Sequence, residues 1–393
     1  MPPHRIVVVG AGLAGARTCQ ELRSRGYGHE LILLGAEPHQ PYDRPPLSKA
    51  LLRGALDGLD DIRLDVDLDA LDVRFLRETS AQALAHGVLA TSVGDLTWDA
   101  LVLATGARPL RPRGDRGALV LRTVDDALAL RSGLVAGARV VIVGAGWIGA
   151  EVATAAAGYG CTVTVIEAAP APLAVPLGVP VGARTTPWYA EAGVTLRTGT
   201  PVVETAPDGV LLADGEWLPA DVVLAAVGVR PDVAWLDGSG VETGVGVHTD
   251  AGLRTSLSGV LAVGDCATRF SPRAGRRLRL EHWDDALHSP EVVAATLLGE
   301  DATYDPVPYV WSEQFGRYVQ WVGWRTGDPA VWRGDPADGQ GWAAGWLDGS
   351  GRLTGFLAVD RQRDLLQARK LIAAGREPDP ARLADPAVPV RDA

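Results

Sequence analysis

Two matching stretches decide the fold of this 393-residue chain. Residues 7–16 read VVVGAGLAGA, and residues 141–150 read VIVGAGWIGA. Each begins with a continuous apolar run, which is typical of a buried parallel strand, and passes through a glycine-rich turn into a helix-compatible segment. One such turn is a weak signal, because glycine-rich turns also serve packing alone. Two copies, each between a strand and a helix, indicate two dinucleotide-binding folds.

The glycines of both turns suit a bound pyrophosphate. The first glycine permits a tight bend, the second lets the backbone approach the pyrophosphate, and the third lets helix and strand pack closely. They are Gly10, Gly12 and Gly15 in the first copy and Gly144, Gly146 and Gly149 in the second. An acid follows the second strand of each copy, Glu37 and Glu167, where it can accept hydrogen bonds from ribose hydroxyls.

Composition narrows the class of protein. Apolar residues make up 47% of the chain and charged residues 22%, which excludes wholesale disorder. The net charge of −11 argues against broad binding to nucleic acid or anionic membranes. No apolar run approaches the roughly 18 residues that span a bilayer. The apolar N-terminal run belongs to the first glycine-rich turn rather than to a signal peptide, so we expect a cytoplasmic protein.

Cysteine usage restricts the redox chemistry. The three cysteines, Cys19, Cys161 and Cys266, are far apart and form no Cys-x-x-Cys pair. A disulfide scaffold, a redox dithiol and a resident iron–sulfur cluster are therefore not expected, since a cluster usually takes four ligands. No metal site is predicted either. Redox chemistry in this chain must use an organic cofactor.

The predicted fold class is α/β, with two Rossmann-like dinucleotide-binding domains and a C-terminal α+β domain. Strand-like runs at 100–106 and 221–228 bracket the second glycine-rich turn, which indicates a domain inserted within another. Alternating, tryptophan-rich segments after about residue 305 predict antiparallel strands. We expect the tail from Glu377 to be loosely held. The predicted domains are 1–108 with 233–308, then 109–232, then 309–393.

Further motifs narrow the family. The chain resembles the FAD-dependent NAD(P)H:ferredoxin reductases of bacterial oxygenase and cytochrome P450 systems, which have the pyridine nucleotide-disulfide oxidoreductase fold. The resemblance extends over about residues 4 to 376. It is carried by PYDRPPLSK at 41–49, ATGARP at 104–109, LRT at 121–123, GDCA at 264–267, EHW at 281–283 and PYVWSEQ at 308–314.

The resemblance implies a set of binding residues. The first fold, 1–108 with 233–308, would bind FAD, and the second, 109–232, would bind NADH. For FAD it implies Gly10, Gly12, Ala14, Gly15, Glu37, Arg44, Lys49, Ala81, Arg122, Asp265 and Trp283. For NAD it implies Gly144, Gly146, Ile148, Gly149, Glu151, Glu167 and Gly228.

Three residues are candidates for the chemistry itself. Lys49 and Glu151 are expected to form a buried ion pair on the nicotinamide side of the flavin. Trp311 lies in a segment that in the family is close to the flavin. NADH is the expected donor rather than NADPH, because Glu167 would repel a 2′-phosphate and residues 168–170 supply no cation.

The implied function is NADH:ferredoxin oxidoreductase, acting on a [2Fe–2S] ferredoxin that serves a P450 or Rieske oxygenase, as a monomer or homodimer. The alternatives are an NADH oxidase or quinone reductase on the same scaffold, and a flavin-bearing redox sensor similar to apoptosis-inducing factor.

The partner face is less defined by the sequence. Glu313 stands where the family usually has Asp, and Asp285, His288 and Ser289 also depart from its pattern. Two basic stretches, 269–279 and 361–376, are candidates for docking an acidic ferredoxin. An exposed, solvated hairpin is the alternative reading of the first stretch.

Overall fold

A computed structural model describes residues 3–85 and 87–393. They form two compact units. The first comprises residues 3–43, 59–108 and 229–306, and the second comprises 44–58, 109–228 and 307–393. The second unit therefore holds a short segment from the first predicted domain and the C-terminal sheet together with the second glycine-rich turn. The division into three domains stays a prediction.

Helices and strands alternate along most of the chain. The helices are α1 (Leu13–Ser24), α2 (Val124–Gly133), α3 (Trp147–Gly158), α4 (Ala174–Leu177), α5 (Val179–Thr185), α6 (Pro187–Glu191), α7 (Trp283–Leu297), α8 (Gln362–Ala373) and α9 (Pro380–Ala384). The first strands are β1 (Arg5–Val9), β2 (Glu30–Leu34), β3 (Arg74–Leu76), β4 (Ala81–Ala85), β5 (Val88–Thr91), β6 (Gly94–Thr97), β7 (Ala100–Leu103) and β8 (Ala107–Pro109).

The remaining strands follow the second half of the chain. They are β9 (Arg139–Val143), β10 (Thr162–Ile166), β11 (Thr195–Arg197), β12 (Val202–Ala206), β13 (Gly209–Leu212), β14 (Trp217–Pro219), β15 (Val222–Ala225), β16 (Val229–Pro231), β17 (Val247–Thr249), β18 (Val260–Ala262), β19 (Ala267–Ser271), β20 (Arg276–Arg279), β21 (Tyr309–Gln314), β22 (Arg317–Gly323), β23 (Val331–Arg333), β24 (Trp342–Leu347) and β25 (Leu353–Val359).

The first unit is built on a five-stranded parallel sheet in the order β18-β7-β1-β2-β3. Its central strand β1 is apolar on both faces, and Ile6 to Val9 are all buried. Such a strand needs cover on both sides, which explains its continuous apolar run. Two smaller antiparallel arrangements, β4-β5-β6 and the β19-β20 hairpin, belong to the same unit.

The second unit repeats the parallel arrangement in the order β11-β10-β9-β15. It also contains a five-stranded antiparallel sheet in the order β21-β22-β25-β24-β23. Helix α8 packs on that sheet through Leu365, Ala368 and Ile372. The predicted fold class, two Rossmann-like folds and a C-terminal α+β part, is confirmed.

The C-terminal tail is packed, so the expectation of a loosely held tail is wrong. Leu383 and Val390 are completely buried. The guanidinium of Arg333, itself buried, donates hydrogen bonds to the carbonyl oxygens of Leu383 at 3.2 Å and Val388 at 2.8 Å. Composition alone did not reveal this contact, because Pro, Ala and Asp are also common in ordered loops.

Among residues 3–85 and 87–393, no helix combines the length and the apolarity that crossing a membrane requires.

Candidate functional site

The first glycine-rich turn forms an open cradle at the end of β1. Gly10 has φ +112, and a side chain there would also collide with the carbonyl oxygen of Ala104. Helix α1 begins after Gly12, which caps it without any side-chain hydrogen bond. Nothing lies within 4 Å of the position a Cβ would take at Gly12. The helix N-terminus thus faces free space, as an anion site requires.

Acidic groups lie at the same edge of the sheet. All five strands are parallel, so their carboxyl ends share one edge. Glu37 follows β2 and accepts a hydrogen bond from the Tyr42 hydroxyl at 2.5 Å. Asp265 lies in the short turn after β18, and the preceding Gly264 would place a Cβ 3.1 Å from the Cβ of Ala14. The Asp265 turn therefore adjoins the first turn of α1.

Trp283 and Ala81 also lie in the first unit. Trp283 begins α7, and its indole Nε1 donates to Asp43 Oδ1 at 2.6 Å. Ala81 begins β4, shortly after Thr79, whose amide donates to the carbonyl of Gly35 beyond β2. Some predicted FAD contacts of this unit thus lie close to the carboxyl ends of the parallel strands. The others are held by residues next to those strand ends.

Two predicted FAD contacts are neighbours in the second unit. Arg44 Nη1 donates to the carbonyl oxygen of Arg122 at 2.5 Å. Arg122 precedes a capping box in which Thr123 and Asp126 exchange hydrogen bonds at the start of α2. The backbone of Arg122 is thereby fixed, and Arg44 is held by it.

The second glycine-rich turn has the same geometry as the first. Gly144 has φ +107, and a side chain there would collide with the carbonyl oxygen of Ala226. Helix α3 begins after Gly146, which again lacks a side-chain cap and has open space beside it. Ile148 and Val227 remain 39% and 37% exposed, an apolar lining that a bound dinucleotide would cover.

Glu167 is fixed at the edge of this turn by the backbone. Its Oε2 accepts from the amide of Ala145 at 2.7 Å, and its Oε1 accepts from the amide of Ala169 at 2.8 Å. Both oxygens are therefore held just beyond β10, where the ribose of a dinucleotide lies in this type of fold. Gly228 follows β15 at the same edge, and its carbonyl accepts from the amide of Leu110.

Lys49 and Glu151 form a buried ion pair within the second unit. Lys49 Nζ lies 3.0 Å from Glu151 Oε2, and only 12% and 2% of their side chains are exposed. Ser48 donates to the same oxygen, and Ser312 Oγ donates to Oε1 at 2.5 Å. Three donors therefore satisfy a carboxylate that burial would otherwise penalise.

Trp311 lies next to this ion pair on the edge strand β21. The Lys49 ammonium is 6.0 Å from the centre of the indole ring, within reach of a cation–π interaction. Tyr309 stacks on the indole at 5.9 Å, and the Arg369 guanidinium lies 5.5 Å from the Tyr309 ring. The structure thus brings the three candidates Lys49, Glu151 and Trp311 together; their roles stay a prediction.

The N-terminus of α7 carries two groups with displaced pKa values. Burial raises the pKa of Asp285 to about 6, against the lowering effect of Arg269. Desolvation lowers the pKa of His282 to about 4, against the opposing effect of Asp265. Arg269 Nη1 pairs with Asp285 Oδ1 at 3.0 Å, and both side chains are buried.

The basic stretch 269–279 is therefore not a uniform surface patch, and its first member is excluded from a docking role. Arg269 is buried against Asp285 and Tyr304 because strand β19 directs it inward. The other arginines of the β19-β20 hairpin are exposed: Arg273, Arg276, Arg277 and Arg279. On α8, Arg363 and Lys370 are exposed, whereas Arg361 pairs with Asp364 at 2.7 Å.

Sequence reasoning missed Ser48 and Ser312, which bind the Glu151 carboxylate. A signal for Ser312 was present, because side chains alternate along a strand. With Trp311 on the outer face, Ser312 and Gln314 must point inward, and a buried polar side chain needs a partner. Ser48 carried no such signal, since it lies in a 3-10 turn.

The described part of the chain contains no group of three or more His, Cys, Asp or Glu side chains arranged to hold a metal ion.

Each of the two glycine-rich turns fits the pyrophosphate of a dinucleotide. Each offers a helix N-terminus, open space beside a glycine and an acid beyond the second strand, and the second adds a buried Lys–Glu pair. Together these features define a protein with two dinucleotide-binding sites, as found in flavin- and nicotinamide-dependent oxidoreductases.

Comparison with known proteins gives the family. Residues 4–289 match the pyridine nucleotide-disulphide oxidoreductases, and residues 309–393 match the reductase C-terminal family. The chain belongs to the pyridine nucleotide-disulphide oxidoreductase family. The predicted resemblance is confirmed, and with it the FAD and NAD(H) dependence of the family.

The chain is similar over its length to several characterised relatives. The ferredoxin–NAD(+) reductase component of the anthranilate 1,2-dioxygenase system of Burkholderia cepacia is 39% identical over 401 residues, covering 99% of this chain and 98% of the relative. The crystal structure of Fdr9 is 49% identical with a TM-score of 0.94, covering 98% and 99%. The reductase in the covalent putidaredoxin reductase–putidaredoxin complex is 32% identical with a TM-score of 0.93, covering 99% and 97%.

Proposed function

We propose that this chain is an NADH:ferredoxin oxidoreductase that serves a [2Fe–2S] ferredoxin of a Rieske or P450 oxygenase system. The observation that carries the proposal is the grouping of Lys49, Glu151 and Trp311 in a chain with two dinucleotide cradles. Relatives named as reductase components of dioxygenase systems support it. A cytoplasmic location, where NADH is available, accords with this role.

Bound FAD supplies the chemistry that amino acids lack, since it accepts a hydride from NADH and releases electrons singly. The residues of the chain bind and orient FAD and NADH. The turn at Gly12 holds the FAD pyrophosphate, with Glu37 on a ribose and Asp265 on the ribityl chain.

The second fold holds the donor. The turn at Gly146 receives the NADH pyrophosphate at the N-terminus of α3, and Glu167 accepts hydrogen bonds from a ribose. The Lys49–Glu151 pair, 3.0 Å apart, lies on the nicotinamide side, and its burial excludes water from that position. Orientation is the main contribution of these residues, because hydride transfer is sensitive to small displacements.

Trp311 and α8 form the proposed ferredoxin-docking face. Tyr309 connects Trp311 to Arg369 through ring contacts at 5.9 and 5.5 Å, and Arg363 and Lys370 extend the positive surface along α8. Leu366, 60% exposed, lies between these two cations. Aromatic and apolar anchors within a rim of cations suit an acidic partner.

The function is tested in two half-reactions. Stopped-flow mixing of holoenzyme with NADH should bleach the flavin, and cytochrome c reduction should then rise at least about tenfold when a [2Fe–2S] ferredoxin is added. Equal NADH consumption with oxygen or quinone alone would identify an oxidase or quinone reductase. Flavin reduction without rapid transfer to any acceptor would instead favour a redox sensor.

The docking face is tested by charge reversal. Arg363→Glu with Lys370→Glu should raise the KM for ferredoxin without changing NADH reduction of the flavin. Raising ionic strength from about 0.01 to 0.5 M should have the same effect in the unmodified protein. Arg276→Glu with Arg277→Glu is the matched variant on the β19-β20 hairpin. If only the hairpin variant raises the KM, the docking face has been assigned to the wrong cluster.

A further inference from the structure

The strand β21 directs two polar side chains into the interior of the second unit. Ser312 and Gln314 are both buried, on the face opposite Trp311. Gln314 Nε2 donates to Ser312 Oγ at 3.0 Å, and Ser312 Oγ lies 2.5 Å from Glu151 Oε1. Because a hydroxyl that accepts from the amide still has its own hydrogen to give, the chain of donation runs from Gln314 through Ser312 to Glu151.

The tip of the same hairpin is attached one turn further along α3. The amide of Phe315 donates to Thr154 Oγ1 at 2.9 Å, and the Phe315 ring packs on Tyr189 at 4.6 Å. Phe315 has φ +51, a left-handed conformation that is unfavourable for a bulky residue and persists only where the surroundings impose it. Residues 151 and 154 lie on one face of α3, so the β21-β22 hairpin is hydrogen-bonded to that helix at two successive turns.

We propose that Ser312 is a positioning residue for Glu151, and that the β21-β22 hairpin thereby sets the affinity of the second fold for NAD(H). The proposal rests on the proposed function, which places Glu151 on the nicotinamide side. Helix α3 begins at the dinucleotide turn, and Ser48, Lys49 and Ser312 together hold both oxygens of the Glu151 carboxylate. Removing Ser312 releases Oε1 and allows the carboxylate to rotate.

A purely structural role for Ser312 makes a different prediction. If the hydroxyl only satisfies a buried oxygen, its loss lowers thermal stability and leaves ligand affinity at 25 °C unchanged. If the hydroxyl positions Glu151, its loss weakens NAD(H) binding in protein that is still fully folded.

The test compares Ser312→Thr with Ser312→Val, which have the same branched shape and differ in having a hydroxyl or a methyl group at one position. Calorimetric titration of oxidised holoenzyme with NAD⁺ should show a Kd about 10-fold higher for the Val variant and within about 2-fold of the unmodified protein for the Thr variant. The KM for NADH, measured with ferricyanide as acceptor, should rise in parallel, with a smaller change in kcat. Thr185→Val is the matched control: it removes a buried hydroxyl, which donates to the Gly182 carbonyl, and should leave the Kd unchanged.

Two further variants make every outcome decisive. Glu151→Gln should weaken NAD⁺ binding; if it does not, the assignment of Glu151 is wrong and the positioning proposal falls with it. If Glu151→Gln weakens binding while the Thr and Val variants behave alike, only the positioning proposal is overturned.

Should Ser312→Val fail to retain FAD, Gln314→Met replaces it, with an expected increase of about 3-fold in the Kd. An unchanged Kd in Gln314→Met would then overturn the proposal. Ferricyanide keeps these readouts independent of any ferredoxin.

Discussion

The helices α1 and α3 start alike and then differ. Both contain 12 residues and follow a glycine N-cap with nearly equal φ, −77 and −79. Two positions after the third glycine, however, α1 has Arg17 and α3 has Glu151. Arg17 pairs with Glu21 of its own helix at 2.8 Å and is 32% exposed, whereas Glu151 is buried and bound by residues from two other segments. The turn defines the anion site, and this one position distinguishes a helix with a local ion pair from a helix that holds a buried carboxylate bound by other segments.

The acids beyond the second strands differ as well. Glu37 accepts from a tyrosine hydroxyl, whereas both oxygens of Glu167 accept from backbone amides. Backbone donors cannot rotate away, so the Glu167 carboxylate is held in a fixed orientation. A rigid carboxylate discriminates more sharply against a negatively charged 2′-phosphate.

Substituting the first glycine of each turn should have the largest effect, and the two substitutions should affect different ligands. We expect Gly10→Ala to yield colourless protein without FAD, because a Cβ there collides with the Ala104 carbonyl. Gly144→Ala should retain FAD and lose NADH reduction by more than about 100-fold, since both strain and collision oppose the turn. Absorbance at 450 nm and stopped-flow reduction measure the two outcomes. Gly26→Ala, with φ +82 and open space around it, is the control for strain alone.

The equivalent helix positions should differ in their effect on stability. Glu151→Ala leaves Lys49 buried without a counter-charge and should cost about 3 kcal/mol of unfolding free energy. Arg17→Ala removes a partly buried pair within one helix and should cost about 0.5 kcal/mol. Thermal denaturation of both holoenzymes compares them. Similar melting temperatures would mean that the Lys49–Glu151 pair contributes no more than the Arg17–Glu21 pair.

Coenzyme preference should depend on one acid and not on the other. Unmodified protein should favour NADH over NADPH by about 5- to 150-fold in kcat/KM, because Glu167 repels a 2′-phosphate. Glu167→Ala should reduce this ratio at least about 5-fold, and adding Ala168→Arg should reduce it further. Glu37→Ala should weaken FAD retention without altering the ratio. An unchanged ratio in Glu167→Ala would contradict the assignment.

The smallest expected effect concerns pH and the buried Arg269–Asp285 pair of the first unit. The pKa of Asp285 is raised to about 6 in the folded protein, above its ordinary value of 3.8. Between these two values the folded state holds a proton that the unfolded state has released. Asp285 therefore contributes stability that is complete below about pH 4 and is lost as pH rises through 6. The melting temperature of the unmodified protein relative to Asp285→Asn should fall by a few degrees between pH 4 and 7. A constant difference would show that the carboxyl does not titrate in this range.

Much of the fold could be read from the sequence because its signals are local. The apolar runs at 7–9 and 141–143 each lead into a glycine-rich turn, and the acids Glu37 and Glu167 stand at fixed intervals. These features depend on neighbouring residues only, so they can be recognised in the sequence without knowledge of the tertiary structure.

The features that the sequence did not predict depend on contacts between segments that are distant along the chain. Ser312 meets Glu151 across 161 residues of sequence, and Arg333 binds the tail across about 50. Arg269 looked like part of a surface cluster, but its place on β19 turns it inward to Asp285. Charge patterns show which residues are ionised but not which face of a strand they occupy.

The discontinuous first unit also has a consequence for the order in which the protein can fold during synthesis. Its sheet needs β18, which begins at Val260, whereas the four strands of the second parallel sheet are complete at Ala225. At about 5–20 residues per second, the ribosome reaches β18 roughly 2–7 s after the last strand of the second sheet. The sheet that is encoded first is therefore the one completed last, and β7 emerges with one edge unpaired until β18 arrives.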